Sequence, residues 1–330
     1  IDQMRVGDEV EPGDALVVAT SGSPGTPKGV VLTHDAIAAS AEATSARLAV
    51  NAHDHWLACL PLSHVGGLSV VTRALHTSTR LTVHPGFDAE AVMSSGATLV
   101  SLVATALRRI DPTRFRTIVL GGSRPPADRP ANTVTTYGMT ETGSGVVYDG
   151  VPLVGVEVDI VPLDGTDDLD PDGEIRLRCP MLLRCYRDGS DPRTSEGWFP
   201  TGDLGHWLAD GRVHVTGRAG DLIITGGENV WPEAVEQALA THEGVDEVMV
   251  RGVADAEWGQ LVEAVVVPVD RAAPPDLEAL RDHVKLDHPA YMAPRSVEYA
   301  TALPRTALGK IRRQSARSAD PATPAPPSIT

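Results

Sequence analysis

Residues Thr20 to Gly29 read Thr-Ser-Gly-Ser-Pro-Gly-Thr-Pro-Lys-Gly, which is the chemistry of an anion cradle. Gly22, Gly25 and Gly29 let backbone N–H groups approach phosphate oxygens closely. The hydroxyls of Thr20, Ser21, Ser23 and Thr26 add donors, and Lys28 adds a point charge. The spacing is not that of a Walker A loop, which needs Gly before its Lys and Ser or Thr after it; here Pro27 precedes and Gly29 follows. The same composition also suits a flexible surface loop, so composition alone leaves both readings open. Only three of the 28 basic residues are lysine, Lys28, Lys285 and Lys310. Such a bias usually reflects genome composition, but it singles out the positions that kept Lys. Residues 304–317 carry five basic side chains and no acidic one, inside a chain of net charge −16. That balance argues against a nucleic-acid partner or an anionic membrane surface.

The elements that must position this loop follow from patterning. Ala15–Ala19 reads as a buried strand before it, and Ala36–Leu48 as a helix after it, with Thr33 as N-cap and Asp35 in the first turn. Thr98–Val103 and Thr117–Leu120 read as further buried strands, giving an α/β sheet. From Val151 to about Val215 the pattern changes. Val156–Ile160 and Glu174–Arg178 alternate, and Asp164-Gly165, Asp172-Gly173 and Asp210-Gly211 suggest turns of an antiparallel section. Beyond Arg218 a smaller α+β unit is expected. It contains a helix from Pro232 with Val235, Ala238, Leu239 and His242 at helical spacing, strands Val245–Val253 and Leu261–Val269, and a helix Asp276–Leu286. Gln314–Thr330, rich in Pro, Ser and Thr, is expected to be a disordered tail. With 330 residues and 42% hydrophobic side chains the chain can bury a sizeable core, and no apolar run approaches the ~18–20 residues of a membrane span. No signal peptide is read in the polar, acidic segment Ile1–Glu11. Cys59, Cys179 and Cys185 form neither a disulfide framework nor a zinc pattern, which suggests a reducing cytoplasm.

Five segments, in order, resemble the signatures of the adenylate-forming superfamily of acyl-CoA synthetases, adenylation domains and luciferases. They are the Thr20–Gly29 loop; Tyr137-Gly138-Met139-Thr140-Glu141; Thr201-Gly202-Asp203; Gly217-Arg218-Ala219-Gly220-Asp221 with Gly226-Gly227-Glu228-Asn229-Val230 and Pro232-Glu233; and Pro304-Arg305-Thr306-Ala307-Leu308-Gly309-Lys310. Without that context a Thr-Gly-Asp tripeptide reads as a turn. The resemblance spans about Ala15 to Arg313. It implies a large N-terminal α/β core with an antiparallel β section, shortened at its N-terminus, and a small mobile α+β C-terminal domain. The expected boundaries are a core over 1–217, a hinge over 218–221, a lid over 222–313 and the tail over 314–330. It implies ATP, Mg2+ and coenzyme A as ligands. Thr20, Ser21, Gly22, Ser23, Gly25, Thr26 and Lys28 would hold phosphates. Gly121, Gly122, Tyr137, Gly138, Asp203 and Arg218 would hold adenine and ribose. Thr140, Glu141 and Lys310 would be catalytic, with Glu141 on the metal. Gly220 would be the pivot, and Gly226 and Gly227 would lie near coenzyme A. Two positions depart from the pattern: Gly220 replaces the usual Asp or Lys, and Pro24 replaces a hydroxyl residue.

The shortness of the chain, Leu60–Leu68, Val100–Arg109 and Gly138–Pro152 are most similar to the short o-succinylbenzoate–CoA synthetases of menaquinone biosynthesis, especially actinobacterial ones. The resemblance then implies an AMP-forming acid–thiol ligase. His64, Gly143, Ser144 and Val147 would line the acyl pocket, and Arg73, Arg108 or Arg109 would meet the second carboxylate. The alternatives are a CoA ligase for another aromatic or short fatty acid, an adenylation domain loading a carrier protein, and a nucleotide-binding pseudoenzyme. A homodimer is the base-rate expectation for assembly.

Overall fold

The computed structural model describes residues 9–20, 28–122, 125–126, 128–162 and 172–305. The chain divides into two compact units, Ile1–Thr216 and Gly217–Thr330.

The first unit opens with β1 (Asp14–Ala19) and β2 (Gly29–Thr33), paired antiparallel with Ala19 opposite Gly29. The cradle loop therefore closes a β-hairpin instead of leading into a helix, which corrects the expected strand–loop–helix order. The β-branched pair Val30-Val31 favours extended backbone, and both side chains are buried. Thr33 then caps α1 (His34–Arg47), its hydroxyl accepting from the Ala36 N–H at 3.1 Å. The helix starts two residues before the expected Ala36, and Leu48 is its C-cap.

Next come β3 (His55–Ala58), α2 (Val65–His76), β4 (Arg80–Val83), α3 (Ala89–Ser94), β5 (Leu99–Leu102), α4 (Ala104–Leu107), β6 (Thr117–Leu120), β7 (Thr133–Gly138), β8 (Gly145–Tyr148) and β9 (Val151–Pro152). Among the described residues they build a seven-stranded sheet in the order β4-β3-β5-β6-β7-β8-β9. The β4-to-β7 portion is parallel, and β8 and β9 are antiparallel additions. Strands β3, β5 and β6 are buried along their whole length, as parallel strands covered on both faces must be. Leu57, Val100 and Ile118 face one core; Trp56, Leu99 and Val119 face the other.

Then come β10 (Glu157–Pro162), β11 (Gly173–Arg178), β12 (Cys185–Tyr186), β13 (Phe199–Trp207) and β14 (Val213–Arg218), whose last two residues fall beyond the unit's end at Thr216. The order β10-β11-β13-β14 is the expected antiparallel section, while β12 joins β2 in the small sheet β1-β2-β12. In β11 the alternation expected over Glu174–Arg178 holds, with Ile175 and Leu177 buried. Thr201-Gly202-Asp203 lies inside β13, not in a turn. Pairing with β11 slips between Pro200 and Leu204, and Gly202 takes left-handed backbone, φ +70°.

The second unit contains β15 (Ile223–Thr225), β16 (Glu228–Val230), α5 (Pro232–Leu239), β17 (Val245–Asp255), β18 (Gly259–Pro268), α6 (Leu277–Lys285) and β19 (Ser296–Tyr299). Its sheet runs β16-β15-β18-β17, with β19 parallel to β18. Val235 and Leu239 of α5 and Leu280 and Val284 of α6 bury against Val250, Val262, Ala264 and Val266. The α5 helix stops at Leu239, so His242 falls beyond it, its N–H bonded to the Leu239 carbonyl. The architecture is the expected α/β core with an antiparallel section, followed by an α+β unit. Among the described residues no helix is long and apolar enough to cross a membrane, and the three cysteines are free. The Asp164-Gly165 turn and the 314–330 tail lie outside the described residues.

Candidate active site

The expected site residues of the first unit gather at the carboxyl ends of the parallel strands, where open α/β sheets bind ligands. Gly121 and Gly122 follow β6, Tyr137 and Gly138 end β7, and the Leu60–His64 segment follows β3. Gly138 admits no side chain, because a Cβ there would collide with the Ser144 carbonyl. That close approach folds Thr140–Thr142 into a single turn of 3-10 helix that presents Thr140 and Glu141. The buried Thr142 hydroxyl secures the turn, accepting from the Met139 N–H at 3.0 Å and donating to the Ser144 carbonyl at 2.7 Å.

Tyr137 and Asp203, expected at adenine and ribose, are brought together: the Tyr137 hydroxyl donates to Asp203 Oδ2 at 2.8 Å. Asp203 sits at the bulge of β13, its N–H donating to Thr201 Oγ1 at 3.0 Å, while Thr201 donates to the Ile175 carbonyl. The Tyr137–Asp203 contact links two sheets, since Tyr137 lies on β7 of the seven-stranded sheet and Asp203 on β13 of the antiparallel section, beside the left-handed Gly202.

Of the cradle segment, Thr20, Lys28 and Gly29 are described. The Thr20 N–H donates to the Lys28 carbonyl at 2.8 Å and closes the loop's base. Ser21, Gly22, Ser23, Gly25 and Thr26 lie outside the described residues. In the hairpin setting β2 separates the loop from α1, and Thr33 accepts from one of the first-turn N–H groups, that of Ala36. Lys28 Nζ stands over the ring of Tyr186, 4.6 Å from its centroid, and the Tyr186 hydroxyl donates to Glu141 Oε1 at 3.0 Å. Sequence patterning gave no signal for Tyr186, since Arg184–Arg187 has no periodicity or motif spacing that marks it. Glu141 offers one carboxylate, and among the described residues there is no group of three or more His, Cys, Asp or Glu that could hold a metal. A single carboxylate suits Mg2+, which keeps several waters and takes its other ligands from phosphate, better than it suits a protein-caged metal.

His64 caps the N-terminus of α2 through its backbone. Gly67 on the first turn is required by packing: a Cβ there would lie 2.5 Å from the Leu60 and Pro61 carbonyls. The helix carries Arg73 inward. This side chain is fully buried, 4.9 Å over the Trp56 ring, with Nη2 donating to Ser144 Oγ at 3.0 Å. Its Nε and Nη1 have no hydrogen-bond partner. Those two atoms carry three of arginine's five N–H donors. Desolvation pulls the guanidinium below its usual range, yet an arginine so shifted stays charged. Arg108 and Arg109, the other candidates for a second carboxylate, are exposed, with Arg109 over the Phe87 ring at 5.1 Å. Gly143 in left-handed backbone (φ +66°), Ser144 and the buried Val147 follow Glu141 directly.

In the second unit, Arg218 ends β14 and Gly220 lies in the 3-10 turn Ala219–Asp221 with open space around its Cα. Gly226 and Gly227 form the two-residue turn between β15 and β16, with φ +60° and +87°. Two positive φ angles make it the type of hairpin turn that glycine serves best. Gly226 packs against the Trp258 ring, over which Arg295 lies at 3.9 Å. Lys310 lies outside the described residues.

Residues 3–187 match the model of the AMP-binding enzyme family, and 234–310 match the AMP-binding enzyme C-terminal domain. A probable 2-succinylbenzoate–CoA ligase of Mycobacterium tuberculosis is 38% identical over 94% of this chain and 85% of its own length. The o-succinylbenzoate CoA synthetase of Bacillus subtilis, solved with its acyl-adenylate intermediate, superposes with a TM-score of 0.82 at 31% identity, covering 89% of this chain and 67% of that one. The same Bacillus enzyme with ATP and magnesium ion gives 0.81 at 30% identity, covering 92% and 71%. The chain belongs to the AMP-binding enzyme family, the adenylate-forming superfamily that its five ordered segments resemble.

Proposed function

We propose that the chain is an ATP-dependent acid–CoA ligase that converts o-succinylbenzoate to o-succinylbenzoyl-CoA in menaquinone biosynthesis. The family and the named activity of its relatives support the reaction class. The observation that carries the choice of acid is Arg73, a buried cation beside Ser144 with three N–H donors that lack a hydrogen-bond partner. A monocarboxylic substrate gives those donors nothing once its one carboxylate is at the phosphate. A second carboxylate, such as the benzoate of o-succinylbenzoate, supplies a charge-assisted partner.

In the first half-reaction a carboxylate oxygen attacks the α-phosphorus of ATP. The bond to the β-phosphate oxygen breaks, pyrophosphate leaves, and an acyl-adenylate forms. Tyr137 stacks on adenine, and Asp203 accepts from the ribose hydroxyls. Lys28 and the loop hydroxyls bind the β- and γ-phosphates. Thr140 donates to the α-phosphate, and Lys310 bridges it to the carboxylate. These donors act where negative charge spreads in the transition state. Glu141 would hold Mg2+, which neutralises phosphate charge when bound. In the second half-reaction the coenzyme A thiol attacks the acyl carbon, the C–O bond to AMP breaks, and the thiol proton passes to solvent. We place the hinge at residues 218–221, with rotation there withdrawing Lys310 and bringing the Gly226–Gly227 turn to the pantetheine. The open space around Gly220 supports a pivot without side-chain contacts of its own. The three free cysteines fit a reducing cytoplasm.

ATP–pyrophosphate exchange across a panel of carboxylic acids tests the reading. Exchange with o-succinylbenzoate well above benzoate and short fatty acids is expected. Exchange with another acid instead removes the proposed substrate, and exchange with none leaves a nucleotide-binding protein without adenylation. Thioester formation on free coenzyme A separates a ligase from a carrier-loading domain.

A further inference from the structure

We propose that Tyr186 is a positioning residue that ties the phosphate-binding lysine to the metal-binding carboxylate, so that the two halves of the triphosphate site are set by one side chain. The inference rests on the roles given above to Lys28 and Glu141. Tyr186 uses both of its chemical faces at once. Its hydroxyl donates to Glu141 Oε1 at 3.0 Å, and its ring carries Lys28 Nζ at 4.6 Å. The ring is buried, Glu141 is half-buried and Lys28 is exposed, so the hydroxyl contact is the better shielded of the two.

The backbone around Tyr186 makes the same connection. The Leu183 N–H donates to the Glu141 carbonyl at 2.7 Å. On the other side, the Arg184 N–H donates to the Val31 carbonyl at 2.9 Å and the Arg187 N–H to the Gly29 carbonyl at 2.7 Å, next to Lys28. Strand β12 is thus stitched to the Glu141 turn at one end and to the base of the cradle loop at the other, with Tyr186 paired opposite Val30. A hydroxyl bonded to one carboxylate oxygen selects a rotamer of Glu141 and leaves the second oxygen to face a cation. A ring under an ammonium holds a long, flexible lysine within a few ångströms of where it is needed, and so reduces the freedom it must lose when phosphate arrives.

The two contacts are separable. Tyr186→Phe keeps the ring under Lys28 and removes the bond to Glu141; Tyr186→Leu removes both. ATP binding to the full chain is measured by calorimetry with and without Mg2+. Wild type is expected to bind ATP more tightly with Mg2+. Tyr186→Phe should leave Mg2+-free affinity unchanged and cut the gain from Mg2+ by roughly tenfold or more, the size of a lost hydrogen bond to a charged group. Tyr186→Leu should in addition weaken Mg2+-free binding several-fold. In a Glu141→Gln background, Tyr186→Phe should have no further effect on Mg2+ dependence, which a loss of general packing would not reproduce. A folded Tyr186→Phe protein with the wild-type gain from Mg2+ overturns the proposal while leaving the ligase reading intact. A wild-type chain whose ATP affinity ignores Mg2+ overturns the role of Glu141 itself, and this inference with it.

Discussion

Replacing Arg73 by Met removes a buried ion whose setting is poor for stability and good for recognition. The guanidinium makes one hydrogen bond, to Ser144, and one ring contact, to Trp56, and leaves Nε and Nη1 unpartnered in a site 2% exposed. The lost contacts are worth about 1.5–3 kcal/mol for the charged hydrogen bond and about 2 kcal/mol for the desolvated cation–π pair. Against them stand the residual desolvation of the ion, several kcal/mol, and the unmade bonds of three N–H donors. A well-packed Met of similar length should therefore leave the fold as stable as before or more stable by about 1–4 kcal/mol, the range found when buried ions are replaced by apolar side chains. In a unit of this size that appears as a rise of several degrees in Tm, since roughly 1 kcal/mol shifts Tm by about 2–4 °C. Activity should move the other way. Losing a buried charged partner of the substrate carboxylate costs about 2–5 kcal/mol, or about 30- to 5,000-fold in kcat/KM for o-succinylbenzoate. The same substitution should change kcat/KM little for 4-oxo-4-phenylbutanoate, which lacks the ring carboxylate. The assay is pyrophosphate release with both acids, alongside thermal melting. An unchanged ratio of the two acids would refute the assignment of Arg73, and a fall in Tm of many degrees would refute the account of its burial.

Asp203→Ala should raise the KM for ATP roughly tenfold or more, because it removes ribose acceptors and also frees the Tyr137 hydroxyl from its 2.8 Å anchor; an unchanged KM speaks against both roles. Lys310→Ala should abolish adenylation yet spare thioester formation from preformed acyl-adenylate, as measured in separate half-reaction assays; adenylation near the wild-type rate removes Lys310 from the chemistry. Asp54 is buried, which alone would raise its pKa, but bonds from Arg116 at 2.7 and 2.9 Å and from Asn51 and Thr98 hold it below the usual carboxylate range. A depressed folded pKa contributes stability that is full above the unfolded value near 4 and is lost as pH falls through the folded value. Asp54→Asn should cost about 1.5–3 kcal/mol at pH 7 and flatten the acid limb of a denaturation–pH series below about pH 4; an unaltered acid limb counts against this pairing.

Much of the site was legible as chemistry in order along the chain. The hydroxyl- and glycine-rich segment before Lys28, the Tyr137–Glu141 run, Thr201–Asp203, and the stretch holding Gly226 and Gly227 resemble, in order, the signatures of the adenylate-forming superfamily, and that is the family to which the chain belongs. Local patterning also found the Thr33 cap and the alternation along β11, since caps and two-residue periodicity depend on near neighbours. Tertiary structure decided what these segments touch. It made the cradle a hairpin, because β2 pairs back on β1 before the helix begins. It set Thr201-Gly202-Asp203 within a strand, because pairing with β11 overrides the turn tendency of the tripeptide. It joined Tyr137 to Asp203 across 66 residues, and it buried Arg73 against Ser144, 71 residues away, while leaving Arg108 and Arg109 exposed. It also brought in Tyr186, which no motif marks, by pairing a two-residue strand with β2. The physical reason is the same throughout. A motif is written in residues a few positions apart, whereas a contact between distant segments depends on strand order, register and burial, which the whole chain settles together.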